Sequence, residues 1–240
     1  MNLNLLNLKV IIGILYITII SLGLYFLFSA VDIKDLTSYE FIKINKDIIL
    51  EYKNDNFLYL TTIFFIFVIL WVALCGFAMP LLIFSGFVFG KYWGLLIILV
   101  STTIGATLLY MLAGLFFRDL IEVKLAPKFS KLRSFFQKND IAYFMFFRFI
   151  GGGGAPYAVQ NVLPILFNMS VKNFIIATVV GSTPSMFVTV AIGSGIESII
   201  DKNEKLDALT IISSPEIYLP IIFFFILLSV GFFIKKRFFK

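Results

Sequence analysis

Long apolar stretches, separated by short polar segments, occupy most of the chain. Five of them are long enough to cross about 30 Å of hydrocarbon at the 1.5 Å rise per residue of an α-helix. They cover residues 9–30, 58–79, 93–117, 171–196 and 217–234. We read the first one as an uncleaved span, because it is long for a signal sequence and lacks a small-residue cleavage site. The pattern predicts an all-α, multi-pass membrane protein.

Two shorter apolar stretches, 80–92 and 141–168, are interrupted by proline and glycine. Broken backbone persists at membrane depth only where protein or a wet cavity surrounds it. These stretches therefore predict two re-entrant hairpins, and they enter from opposite faces because one crossing, 93–117, lies between them. A variant in which one hairpin spans the membrane, giving six crossings, stays open.

The polar connector 37–53 has a helical pattern. Thr37 and Glu40 fit a capping box. Its apolar stripe contains Phe41, Ile44, Ile48 and Tyr52. Such a helix either lies on the membrane surface or packs on the protein, and the same two readings apply to the stripe in 124–138.

Composition supports the membrane assignment. Hydrophobic residues make up 60% and charged residues 14% of the chain, whereas soluble proteins carry about 25% charged residues. The net charge of +6 comes from connectors and the C-terminal tail, which favours membrane orientation over nucleic-acid binding. The positive-inside rule places 31–57, 118–140 and the C-terminus in the cytoplasm and 197–216 outside. We expect an integral protein of a bacterial plasma membrane.

The residue types needed for most catalytic and metal sites are missing. The sequence has no histidine and a single cysteine, Cys75, which rules out histidine triads, histidine metal sites and an internal disulfide. No acidic residue falls inside a predicted span. We therefore expect no catalytic residue, no metal, no cofactor and no enzymatic activity.

A shift of 76 residues aligns two parts of the chain. Pro80 meets Pro156, Thr102 meets Thr178, Gly105 meets Gly181, and Thr107 meets Thr183. Each copy is a proline-broken apolar hairpin followed by a full helix. Because the two copies would enter from opposite faces, they predict an inverted-topology repeat with a site near the membrane midplane.

Several short motifs resemble those of the VTT-domain proteins, also called the DedA-like or SNARE-associated Golgi family. The first half has Pro80 followed by Gly86 and Gly90. The second half has Arg148, the glycine- and proline-rich 151–156, Asn161, Phe174, Thr178, Gly181, Pro184 and Gly193. The resemblance covers about residues 60–197. It implies two opposed re-entrant hairpins and movement of lipids between leaflets, as a scramblase or flippase.

The chain departs from this family in two places. The segment 75–86 contains no Asp or Glu, whereas the bacterial DedA branch has acidic residues there that are tied to proton dependence. The segment 161–165 replaces an expected asparagine-tyrosine pair and a glycine. The resemblance therefore implies neither proton coupling nor a particular lipid substrate for this chain.

We predict substrate contact in the second hairpin. The planar fork of arginine suits a phosphate headgroup, and a glycine run can expose backbone N–H groups to an anion. The candidate residues are Arg148, Gly151, Gly152, Gly153, Gly154, Pro156 and Asn161. As alternatives, Arg148 snorkels to the interface, the glycines form only a close-packed turn, and Asn161 with Gln160 satisfies freed backbone groups.

A second set of residues is predicted to shape hairpins and pack helices, because small residues let helices approach closely. It contains Pro80, Gly86, Gly90, Gly105, Thr178, Gly181, Pro184 and Gly193. We divide the chain into a first span with its connector (1–57), a VTT-like core (58–197), and a polar loop with the last span and basic tail (198–240).

The sequence thus favours an integral transporter of phospholipids or polyprenyl-phosphate lipids between leaflets. A small-solute or ion carrier of the same fold and a non-transporting scaffold for envelope homeostasis are the alternatives. Membrane lipids are the expected partners, nucleic acid is not expected, and self-association is left open.

Overall fold

A computed structural model describes residues 39–74, 76–124, 139–201 and 213–238, together with the single helical positions Leu15, Thr18 and Leu22. The α-helices in these ranges are α1 Tyr39–Asp55, α2 Phe57–Ala73, α3 Met79–Phe89, α4 Lys91–Lys124, α5 Asp140–Phe149, α6 Tyr157–Val162, α7 Val171–Asp201 and α8 Pro215–Phe238. Short 3-10 turns cover Gly151–Gly154 and Leu163–Phe167. The described ranges contain no strand, in agreement with the predicted all-α class.

Among the described residues, two helical segments are long and apolar enough to cross a membrane, Lys91–Phe116 and Val171–Ile200. The apolar helices Phe57–Ala73, Met79–Phe89, Tyr157–Phe167 and Pro215–Val230 are shorter. Apart from the three single positions, the predicted first span lies outside the described residues, as do Cys75 and the segment 125–138. The number of crossings therefore stays a prediction.

Helix α3 returns along α2. Two aromatic pairs join the start and middle of α2 to the end and middle of α3, Phe57–Phe89 at 6.2 Å between ring centroids and Phe64–Phe84 at 5.5 Å. Near the end of α2, Trp71 lies 5.7 Å from Phe77, which precedes α3. The indole of Trp71 also donates a hydrogen bond to the carbonyl oxygen of Phe77 at 3.0 Å and fastens the turn between the two helices. The two helices are thus antiparallel arms of one hairpin.

Helix α4 then runs parallel to α2. The Trp93 ring near the start of α4 lies 6.2 Å from Phe57, and Gly105 farther along packs against Ile69 and Val72. Successive membrane crossings at 58–79 and 93–117 would instead be antiparallel, so this part of the predicted arrangement is corrected. Apolar length indicates how far a segment can reach, but it does not give the segment's direction.

The short α3 changes the expected topology. Its 11 residues span only about 16 Å at 1.5 Å per residue, roughly half the hydrocarbon thickness. The first hairpin is therefore formed by α2 and α3 together and not by 80–92 alone, and its re-entrant course stays a prediction. If this hairpin returns to its own face, we expect Asp55 and Asp201 on one side of the membrane, and Lys124 and Asp140 on the other. We retain the cytoplasmic C-terminus as a prediction.

The second half repeats this path with α5, α6 and α7. The chain reverses at Gly151–Gly154 between α5 and α6. Helix α7 is then parallel to α5, because Asn173 donates to both carboxylate oxygens of Asp140, at 3.0 and 2.9 Å, and Gly181 packs against Met145 and Arg148.

The packing of the two halves follows the 76-residue repeat. Gly105 lies against Ile69 and Val72, and Gly181 lies against Met145 and Arg148, so each of the three positions is displaced by the same 76 residues.

Helices α4 and α7 are antiparallel, since Tyr110 stacks on Phe174 at 4.7 Å while Thr102 contacts Met186. The two halves are therefore inverted copies of one unit, and Val72 is the counterpart of Arg148.

Glycine contacts lock α3 to α7. A Cβ on Gly86 would collide with the backbone of Val190, and a Cβ on Gly193 would collide with the backbone of Ile83. The backbones of the two helices therefore touch at both places, which a larger side chain on either glycine would prevent. Gly90 is different, because it has φ 76° and open space around it and forms the turn into α4.

The apolar stripe on α1 faces away from the protein. Ile44, Ile48 and Tyr52 are 74%, 64% and 47% exposed, whereas Ile49 packs on the core. Of the two readings of this connector, the contacts favour the helix that lies on a membrane surface. The side chains of Glu40 and Phe41, and the whole of Thr37, lie outside the described part of the chain.

Candidate functional site

Arg148 is one of the largest fully buried side chains in the described residues. It lies near the C-terminal end of α5 and is 2% exposed. Its Nη1 donates to Gln160 Oε1 at 3.2 Å, and its Nη2 donates to Asn161 Oδ1. The side chain therefore does not extend to an aqueous interface. It joins the two arms of the second hairpin.

Three aromatic rings enclose the guanidinium. Its carbon lies 4.9 Å from the ring centroid of Phe144, 5.3 Å from that of Tyr157 and 5.7 Å from that of Phe174. Each distance is within the range in which a cation is attracted to a ring face. Phe144 reaches Arg148 because it lies one helical turn earlier on α5. These three rings, which we call the aromatic box, belong to α5, α6 and α7.

The charge of Arg148 has no acidic partner in the described ranges. Its two hydrogen bonds go to neutral amides, and none of the described carboxylates forms an ion pair with it. Burying an unpaired charge costs several kcal/mol or more unless other groups stabilise it. The amides and the three rings supply part of that stabilisation and leave the site with a net positive charge.

Polar atoms without hydrogen-bond partners lie in and beside the guanidinium. In the part of the chain that the structure describes, Arg148 Nε, an atom of the guanidinium itself, and Asn161 Nδ2 are both buried and have no partner. Thr178 Oγ1 is also buried and unpaired, and it lies on the face of α7 between Phe174 and Gly181, both of which contact Arg148. Two of these three atoms can only donate, so the local chemistry favours an anionic oxygen.

The cluster lies near the middle of the apolar length of α4. Phe174 and Met186 bracket Gly181 on α7, and their partners on α4 bracket Gly105. Gly105 is about 21 Å along α4 from Lys91 and about 16 Å from Phe116 at 1.5 Å per residue. Arg148, which packs on Gly181, is therefore at a similar depth, with its uncharged counterpart Val72 beside Gly105.

The glycine turn is built around the side chain of Gln160. All four glycines have positive φ, between 62° and 81°, a conformation that side chains disfavour. Gln160 Nε2 donates to the carbonyl oxygens of Ala155 at 2.7 Å and Gly151 at 3.3 Å. Gly152 is buried directly against the Gln160 carboxamide. Gln160 thus satisfies backbone groups that the turn leaves free.

Comparison with known proteins identifies the segment that contains this cluster. Residues 77–195 match the family model of the VTT domain. This part of the chain is a VTT domain. The family predicted from the sequence is therefore confirmed.

A curated relative supports the same assignment. The chain is 29% identical over 181 residues to Transmembrane protein 41 homolog from Dictyostelium discoideum, an alignment that covers 72% of this chain and 52% of the relative. The chain thus spans about half the length of that relative. No solved structure matches the chain.

The VTT domain brings together only part of the predicted substrate-binding set. Arg148 and Asn161 are in direct contact, and Gly152 reaches them through Gln160. Gly151, Gly153, Gly154 and Pro156 are exposed on the turn, and Pro156 precedes the first residue of α6. These four positions shape the hairpin end and do not contact the guanidinium.

The predicted packing set has several distinct roles within the VTT domain. Gly105 lets α2 pack closely on α4, and Gly181 lets α5 pack closely on α7. Gly86 and Gly193 lie where α3 contacts α7. Pro80 lies in the first turn of α3, and Pro184 lies inside α7. Thr178 is fully buried and faces the Arg148 cluster, so it belongs with the candidate site as much as with the packing.

Sequence reasoning did not anticipate the aromatic box. Phe144, Tyr157 and Phe174 lie on three separate helices, and the apolar stretches around them contain many other phenylalanines. A usable signal was the four-residue spacing of Phe144 to Arg148 and of Phe174 to Thr178, which places each ring beside a polar group. In the described part of the VTT domain, no group of three or more His, Cys, Asp or Glu side chains could hold a metal ion.

Proposed function

We propose that the protein moves phosphate-bearing lipids between membrane leaflets, and that Arg148 binds the headgroup during transfer. The resemblance to VTT-domain proteins that motivates a lipid substrate is supported by the family match. The observation that carries the proposal is a buried arginine with no acidic partner among the described residues, whose own Nε and the neighbouring Asn161 Nδ2 are unpaired donors. Such a group gains most from an anionic oxygen.

Several features suit a headgroup rather than a soluble substrate. The cluster lies at about the middle of the apolar length of α4, where the local dielectric is low and a charge-assisted hydrogen bond is strong. The outer faces of α2 and α8 are apolar and exposed, so acyl chains can stay in the bilayer while the headgroup crosses. The proposed substrates are phospholipids or polyprenyl-phosphate lipids.

A reconstitution assay tests this function. Purified protein is placed in vesicles with a fluorescent phospholipid, and loss of leaflet asymmetry is followed by quenching of the outer leaflet. Arg148→Ala removes the charge-assisted contacts, so we expect the flux to fall by about tenfold or more. Lys172→Ala is the matched control, because Lys172 is an exposed cation at the start of α7. Wild-type flux in Arg148→Ala would contradict the proposal.

The enclosure of the site favours a second candidate, a carrier of small anions. Arg148 and Asn161 are 2% and 0% exposed, and a small ion needs less opening than a lipid. The same vesicles, loaded with inorganic phosphate, separate the two functions. Arg148-dependent release of phosphate without lipid movement would support the carrier.

A further inference from the structure

Gln160 touches both the guanidinium and the turn with one carboxamide. Its oxygen accepts from Arg148, and its nitrogen donates to Ala155 and Gly151. The residue is 8% exposed. Because the same planar group makes all three contacts, it cannot rotate away from Arg148 without also loosening the turn.

The contact with Arg148 is one that an anionic ligand can replace. A phosphate oxygen accepts a charge-assisted hydrogen bond, which is roughly twice as strong as a bond to a neutral amide. Gln160 Oε1 therefore accepts a hydrogen bond from Arg148 Nη1, a donor that a headgroup would use. Asn161 can remain in place, since its own Nδ2 is an unpaired donor beside the guanidinium.

The turn has room to respond. A Cβ built on Gly151 or Gly154 would meet nothing within 4 Å, so the outer side of the turn is open. The turn of the first hairpin is closed by comparison, because Trp71 donates to Phe77 and Gly76 packs against the Trp71 indole. Release of Gln160 would free the second turn while leaving the first one fixed.

We propose that Gln160 is a positioning residue. Its Oε1 accepts a hydrogen bond from Arg148 Nη1 in this structure, and this bond must break before a phosphate headgroup binds. The proposal rests on the proposed function, because it takes Arg148 as the phosphate-binding group. Headgroup binding and opening of the glycine turn are then thermodynamically coupled, so each favours the other.

Two substitutions at this position should have opposite effects. Gln160→Met keeps the length of the side chain but removes its acceptor, so Arg148 becomes available. Gln160→Glu places a carboxylate against the guanidinium and competes with the ligand. A merely structural role for Gln160 would instead weaken binding in both variants.

The measurement is equilibrium binding of a radiolabelled short-chain phosphatidic acid to the purified full-length protein in detergent. Relative to wild type, we expect Gln160→Met to bind about threefold to tenfold more tightly, the equivalent of one neutral hydrogen bond, and Gln160→Glu to bind at least about tenfold more weakly. Val159→Met is the matched control, because it adds the same side chain at the adjacent, half-exposed position and should bind as wild type does. Circular dichroism melting shows whether each variant is folded.

The outcomes separate this inference from the function on which it rests. If Arg148→Ala weakens binding but Gln160→Met does not strengthen it, the role of Gln160 is overturned and the lipid site stands. If Arg148→Ala binds the probe as wild type does, both proposals are overturned. Opposite shifts in the two Gln160 variants, with Val159→Met unchanged, support the inference.

Discussion

Helices α5 and α7 approach each other closely at Gly181, so a larger side chain there should lower the free energy of unfolding. A Cβ on Gly181 would lie 2.9 Å from Arg148 Cβ and from Met145 Cα, and its nearest neighbour would be the Met145 carbonyl oxygen. These atoms are fixed to the backbone of α5, so Gly181→Ala must push the two helices apart. Overpacking of this kind costs about 1–3 kcal/mol.

Gly114 supplies a control for the effect of alanine itself. Alanine favours a helix interior over glycine by about 1 kcal/mol, and a Cβ on Gly114 would meet nothing within 4 Å. The gain in helix propensity cancels between Gly114→Ala and Gly181→Ala. The difference between their free energies of unfolding should therefore equal the overpacking cost, about 1–3 kcal/mol.

The assay is reversible unfolding of the purified variants in mixed micelles, combined with lipid flux in vesicles. Gly105→Ala is the repeat-related control, because its Cβ would lie 2.8 Å from Val72 Cβ instead of displacing Arg148. We expect Gly105→Ala and Gly181→Ala to lose similar stability, and Gly181→Ala to lose more flux. Equal stability of Gly181→Ala and Gly114→Ala would refute the packing argument, and equal flux loss at Gly105 and Gly181 would refute the link to Arg148.

Three further predictions concern charge geometry, the turn and topology. Arg148→Lys keeps the charge but loses the planar fork, so lipid flux should fall substantially at normal expression, and wild-type flux would show that the charge alone suffices. Gly152→Ala should lower the melting temperature more than Gly154→Ala, because both positions have positive φ but only Gly152 lies against Gln160; equal losses would exclude that contact as the cause. Single cysteines at Asn54 and Ser213, in a chain with Cys75 replaced, should react with an impermeant reagent from the same face, whereas five crossings require opposite faces.

The class of the protein and its family could be predicted from the residues alone. Apolar stretches longer than the hydrocarbon thickness leave few alternatives to membrane helices, since backbone groups in lipid must be satisfied within the segment. The 76-residue match between Pro80 and Pro156, and between Gly105 and Gly181, was enough to predict two related halves. The structure repeats this spacing in the packing of Gly105 and Gly181 against their hairpins. Matching residue types 76 positions apart were therefore sufficient to predict the repeat.

The direction of α2 and the surroundings of Arg148 depend on contacts between distant parts of the chain. Apolar length has no direction, so only contacts between distant residues, such as Phe57 with Trp93, show that α2 and α4 are parallel. An arginine in an apolar stretch is equally compatible with snorkelling or burial until its neighbours are known. Those neighbours, Gln160 and the rings from three helices, come together only when the hairpin closes against α7. Burial and hydrogen bonding depend on such long-range packing, which no local pattern in the sequence encodes.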